Sequence, residues 1–95
     1  MATYIILIKI AHDAVDNPKD YVKLLETVFK KLEVECPKVH WRHSYSTLGR
    51  YDFIDIVETD DPKQLEKALL TIRAFGHSQT ETLPATPMEE FLANL

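Results

Sequence analysis

Glycine is nearly absent from this chain, with only Gly49 and Gly76 among 95 residues. A phosphate-cradling loop needs several clustered glycines so that backbone amides can approach the ligand, and two distant ones cannot build it. Cysteine is scarcer still. Cys36 stands alone, which excludes an intrachain disulfide and fits a reducing, intracellular setting. Glu33 and Glu35 precede it, and neighbouring carboxylates disfavour a thiolate, so no nucleophile is expected there. Basic runs are missing too: no cluster exceeds Lys30-Lys31, and the net charge is −4. Nucleic-acid binders need concentrated Lys and Arg, so nucleic acid is not an expected partner. The apolar run Ile5-Ile6-Leu7-Ile8 stops at Lys9, lacks a basic leader and is too short to cross a membrane. HExxH, a Ser-His-Asp order and a metal-ligand cluster are all absent. The expectation is a cytoplasmic protein with no cofactor and no metal, binding neither membrane nor nucleic acid.

What the chain does contain is strong periodicity. At 95 residues and 45% apolar content it reads as one domain, residues 1–95, near the lower size for a self-sufficient core. Thr3 to Ile10 is β-branched or aromatic almost throughout, the pattern of a central strand buried on both faces. Asn17-Pro18 predicts a capped helix start, followed by Tyr21, Leu24, Leu25, Val28, Phe29 and Leu32 at helical spacing up to Pro37. Val39 to Leu48 alternates, placing Trp41, His43 and Tyr45 on one side. Tyr51 to Glu58 follows as a second β-type run, joined to the first by a two-residue Gly49-Arg50 turn.

Thr59-Asp60-Asp61-Pro62 repeats the Asx-Pro helix start, with Leu65, Ala68, Leu69, Ile72 and Phe75 as its stripe and Gly76 as a left-handed cap. His77 to Leu83 is a polar strand. Thr86-Pro87-Met88-Glu89 is a capping box that opens a short helix offering Met88, Phe91, Leu92 and Leu95 for packing. The order β-α-β-β-α-β predicts an α+β, ferredoxin-like sandwich: a four-stranded antiparallel sheet with helices on one face, plus a short C-terminal helix.

Two helices cover only one face of such a sheet. With Ile54 and Ile56 toward the helices, Tyr51, Phe53 and Asp55 would lie on the open face beside Lys9, Trp41, His43 and Tyr45. An uncovered face this apolar predicts a homodimer that packs sheet on sheet, and any gap between the sheets would be an aromatic-walled pocket.

Thr47-Leu48-Gly49-Arg50-Tyr51-Asp52, the strand ending Val57-Glu58, and the segment from Phe75-Gly76 to Thr80-Glu81-Thr82-Leu83 resemble the signature of the GYD family, as does the opening Ala2-Thr3-Tyr4 with Lys9. The resemblance implies a ferredoxin-like fold that dimerises as dimeric α/β-barrel proteins do, a group that includes cofactor-free monooxygenases, haem-degrading enzymes and small-molecule sensors. It does not select among them. His77, Ser78 and Gln79 stand where family members often carry Asn, an aliphatic residue and Arg.

The candidate ligand-binding residues are therefore Lys9, Trp41, His43, Tyr45, Tyr51, Phe53 and Asp55, for a small aromatic or planar molecule on the open sheet face. Three readings compete. The first is binding or sensing. The second is a cofactor-free monooxygenase or isomerase with His43 as base and Tyr45 and Asp55 orienting substrate. The third is a structural dimerisation module without ligand. His40 and His43, three apart in a strand, should point to opposite faces and cannot share a metal. Lys9 and Asp55, charges within apolar strands, should pair on the open face. Asp52 is expected to bond the turn amides around Gly49-Arg50. His77 is expected beside the C-terminus of the second helix, which suits a protonated imidazole.

Overall fold

Because its β-branched run leaves no polar face, the first strand takes the middle of the sheet. The structure is a computed structural model describing Met1–Leu95. Its elements are β1 (Ala2–Ile10), α1 (Asp20–Glu35), β2 (His40–Ser46), β3 (Phe53–Thr59), α2 (Pro62–Phe75), β4 (Ser78–Ala85) and α3 (Met88–Ala93). The strands pair antiparallel in the order β2-β3-β1-β4. Each β-α-β crossover skips one strand, which is the ferredoxin-like arrangement. The expected fold class is what the chain adopts.

The core lies between the sheet and helices α1 and α2. Ile6, Ile8 and Val57 of the sheet pack there with Val28 and Leu32 of α1 and Leu65, Ala68 and Ile72 of α2. Ile6 is fully buried, a contribution of about 1.5–3 kcal/mol relative to leaving it exposed. Cys36 closes the lower end of this core, and burial pushes its thiol up, opposed by Lys67 and assisted by Glu35. A polar tie holds the loop before β2: the Thr59 hydroxyl donates to the Lys38 carbonyl, and the Lys38 amide donates to Gln64 Oε1.

Strand register reverses the expected faces. Ile6 lies opposite Asp55 and Ile8 opposite Phe53, so Phe53, Asp55 and Val57 face the helices. The partners Ile5–Ile56 and Leu7–Ile54 form the open face instead. Phe53 to Val57 is apolar at both parities, and Asp55 marks the polar face only if it is solvated; here it is buried. Lys9 and Asp55 consequently lie on opposite sides of the sheet and form no pair.

A second shift occurs in β2. Pairing runs from Trp41–Val57 to His43–Ile56, which makes Arg42 an extra residue, a β-bulge. The bulge resets the alternation. Trp41 faces the helices, whereas His40, opposite Glu58, and His43, opposite Ile56, both fall on the open face. Arg42 reaches Glu58 at 2.7 Å.

The Gly49-Arg50 turn is longer than two residues. Six residues, 47–52, join Ser46 to its partner Phe53, and Gly49 takes φ +100° within them. Asp52 does not bond the turn amides; its Oδ2 accepts from the Ile10 amide at 2.7 Å, tying the connection to the end of β1. Asn17 Oδ1 accepts from the Lys19 amide, and the helix itself starts at Asp20. Asp61 caps α2 as expected, accepting from the Gln64 amide.

The left-handed cap is displaced by one residue. Gly76 ends α2 at φ −92°, and His77 carries φ +47°. Gly76 is needed for a different reason: a Cβ there would sit 2.4 Å from the Ile72 carbonyl oxygen. A left-handed residue with a side chain costs about 1–2 kcal/mol, partly offset by the chain entropy glycine loses. His77→Gly should therefore stabilise the fold by about 1 kcal/mol and raise the melting temperature by roughly 4–8 °C. A calorimetric scan showing no rise would contradict this account.

Finally, α3 buries none of its residues. Thr86 makes no capping bond, and Met88, Phe91, Leu92 and Leu95 all remain exposed.

Candidate functional site

Val28 and Leu32 are the buried residues of α1, and beside them a cleft remains between that helix and the β2–β3 half of the sheet. Its volume is about 220 Å³, and its walls include Ile8, Leu25, Val28, Phe29, Ile72 and Phe53. A cavity of about 150 Å³ with similar lining is enough for benzene. Ser44, Tyr45 and Ser46 border it along the exposed β2 edge.

Two groups give this cleft a polar end. Trp41 Nε1 donates to Asp55 Oδ2 at 2.9 Å, and Phe29 meets the indole edge-on with ring centroids 6.5 Å apart. Asp55 is 5% exposed. Burial raises its carboxyl above the ordinary carboxylate range, while the hydrogen bonds from Trp41 and Ser44 oppose that rise. Titratable groups perturbed in this way, in a cleft, cluster at functional sites.

The expected site residues thus divide. Trp41, Phe53 and Asp55 come together in the cleft, on the helix side of the sheet. Lys9 and His43 lie on the open face. Tyr45 belongs to both places, bordering the cleft while stacking on His43 at 6.2 Å. Tyr51 lies in the β2–β3 connection, where its hydroxyl donates to Glu81; that bond and burial raise the phenol above its usual range. Glu81 pairs with Leu7, so this contact crosses the open face. His43 and Asp55 are separated by the sheet, so within one copy they cannot act on one substrate. The structure holds no group of three or more His, Cys, Asp or Glu side chains placed to hold a metal ion. No helix is long and apolar enough to cross a membrane.

Leu25 and Phe29 were legible as part of the α1 stripe, though nothing in the spacing marked them as cleft walls. Ser44 and Ser46 fall on the helix side, as strict alternation opposite His43 and Tyr45 requires, but nothing in the sequence marked them as bordering a cleft.

A family model described as GYD domain matches residues 4–95. The chain is 30% identical over 95 residues to the "Glutamine synthetase and cystathionine beta-lyase binding protein" of Thermus thermophilus, covering 100% of this chain and 99% of that one. It is similar to a hypothetical protein of Pyrococcus horikoshii, with 31% identity, 92% of each chain covered and a TM-score of 0.56. The leucine response regulatory protein of Mycobacterium tuberculosis shares the fold at 17% identity, with a TM-score of 0.62 over 90% of this chain. This chain spans only 51% of that regulator.

Proposed function

The chain belongs to the GYD-domain family, and we propose that it is a homodimeric binding protein that holds a small planar molecule in the cleft between α1 and the sheet. The observation that carries this reading is the Trp41–Asp55 pair, a hydrogen-bonded polar end on an otherwise apolar cavity. Small-molecule sites have this composition: mostly hydrophobic and aromatic walls with a few placed polar groups. The size suits one or two fused rings. The open sheet face, with Ile5, Leu7, Ile54 and Ile56, is the proposed dimer contact. Catalysis by His43 is the weaker alternative, since Asp55 and His43 do not meet.

Calorimetric titration with 2-naphthamide tests the cleft. Wild-type protein should bind one molecule per chain, and Phe29→Ala should weaken binding roughly three- to tenfold by removing one aromatic wall. Failure of the wild type to bind would remove the small-molecule reading.

A second reading is favoured by α3. The Thermus relative is named for binding two proteins, and here Met88, Phe91 and Leu92 are exposed on a helix that buries none of its own residues. Aromatic and Met side chains are typical anchors at protein interfaces. If this chain likewise engages glutamine synthetase, Phe91→Ser combined with Leu92→Ser should abolish its capture of the purified enzyme while leaving the 2-naphthamide titration unchanged. Undiminished capture would dismiss α3 as the anchor.

A further inference from the structure

The cleft between α1 and the sheet holds a carboxylate that no cation balances. Asp55 is buried, yet the three ion pairs of the chain are Met1–Asp60, Lys38–Asp61 and Arg42–Glu58. No Lys, Arg or His stands on the cleft walls, and Asp55 is the only acidic residue there. Its partners are neutral: the Trp41 indole, at 2.9 Å, and Ser44, which lies directly opposite in the strand pairing. Those two donors occupy about half of the roughly four positions at which a carboxylate accepts a hydrogen bond, and neither brings charge. Buried charges are ordinarily paired or bound to a metal. Neither a second carboxylate nor a His or Cys borders the cleft to help hold a metal ion.

The remaining walls favour a cation as well. Phe29, Trp41, Tyr45 and Phe53 all line the cleft, and the Phe29 and Trp41 rings stand at 90° to each other, forming a corner. Aromatic faces attract cations, most strongly where water is excluded. A carboxylate among such rings therefore combines two independent attractions for positive charge. From this we infer that the ligand is a planar organic cation: its ring lies between α1 and the sheet, and an amidinium or ammonium group on it pairs with Asp55. The inference rests on the cleft reading above and adds the ligand's charge. An amidinium presents its N–H groups in a planar fork, a geometry that matches a carboxylate.

The test compares three compounds of one shape by calorimetric titration: cationic 2-naphthamidine, neutral 2-naphthamide and anionic 2-naphthoate. Wild-type protein should bind the amidine at least about tenfold more tightly than the amide, and the naphthoate more weakly than either. A net charge of −4 draws any cation toward the surface, so the comparison is repeated at about 0.5 M salt. A pair buried in the cleft is screened little, and the preference should persist there. Asp55→Asn keeps an acceptor for the Trp41 indole and removes the charge. In that variant the amidine and the amide should bind within about twofold of each other. Equal affinities for the two in the wild type, a preference lost at high salt, or one that survives Asp55→Asn would overturn the cationic end and leave the cleft standing. Binding of none of the three compounds would overturn both.

Discussion

Ile56→Glu should turn the proposed dimer into a monomer. Ile56 lies opposite Ile5 on one side and His43 on the other, in the middle of the uncovered face. Leu7, Ile54 and Leu83 extend the same patch. Around it two carboxylates already have partners: Arg42 pairs with Glu58, and the Tyr51 hydroxyl donates to Glu81. That is the pattern of an apolar centre with a polar rim. In a two-fold assembly each substitution occurs twice, so two new carboxylates would be buried without partners. An unpaired buried charge costs several kcal/mol, and about 1.4 kcal/mol is tenfold in affinity. The dissociation constant should therefore rise at least about a thousandfold. Light scattering on a sizing column reads this directly. Val34→Glu is the control, since Val34 is 80% exposed on α1 and its replacement should leave the assembly intact. A wild type that runs as a monomer at the same concentration would end the sheet-to-sheet account.

The dimer and the cleft occupy opposite faces of one sheet, so the two proposals are separable. Ile56→Glu should not abolish 2-naphthamide binding, because Phe53 and Asp55, on the other side of β3, keep their places. Coupling between the two would instead point to a strand that shifts when ligand enters.

Element order and sheet topology were legible because they depend on periodicity, which survives small local errors. The helical stripe from Tyr21 to Leu32 and the capped start at Asp61-Pro62 left little choice. Faces were not legible, because in a strand they depend on parity, and one extra residue inverts it. In β3 both parities are apolar, so the one apparent guide was Asp55. Placing that carboxylate on the open face beside Lys9 was reasonable, yet its burial on the helix side is tolerated because Trp41 supplies a hydrogen bond from fourteen residues away. No local pattern encodes that partner. In β2 the bulge at Arg42 separated Trp41 from His43 and Tyr45, again through a pairing irregularity absent from the spacing. The missed cap at His77 has a similar origin: Gly76 was read as the residue that needs positive φ, whereas it is kept by its contact with the Ile72 carbonyl.

Asp55 should make the fold less stable as pH rises. Its folded carboxyl titrates above the unfolded value because burial dominates its surroundings. Between those two values the native state holds more protons than the unfolded chain, so stability falls with increasing pH there and the loss is complete above the folded value. Asp55→Asn removes this titration while retaining an acceptor for the Trp41 indole. Urea midpoints measured across the acid range should show a flatter profile for the asparagine variant and a higher midpoint than wild type at neutral pH. Asp55→Ala separates the hydrogen bond from the charge. It strands the Trp41 N–H in an apolar wall, at about 1–3 kcal/mol, and should lower the midpoint relative to the asparagine variant by roughly 1 M urea. Both neutral variants should share the flat profile, so any difference between them isolates the indole bond. A slope that persists in Asp55→Asn would assign the pH response to another carboxylate, and equal midpoints for the two variants would mean that water replaces the bond.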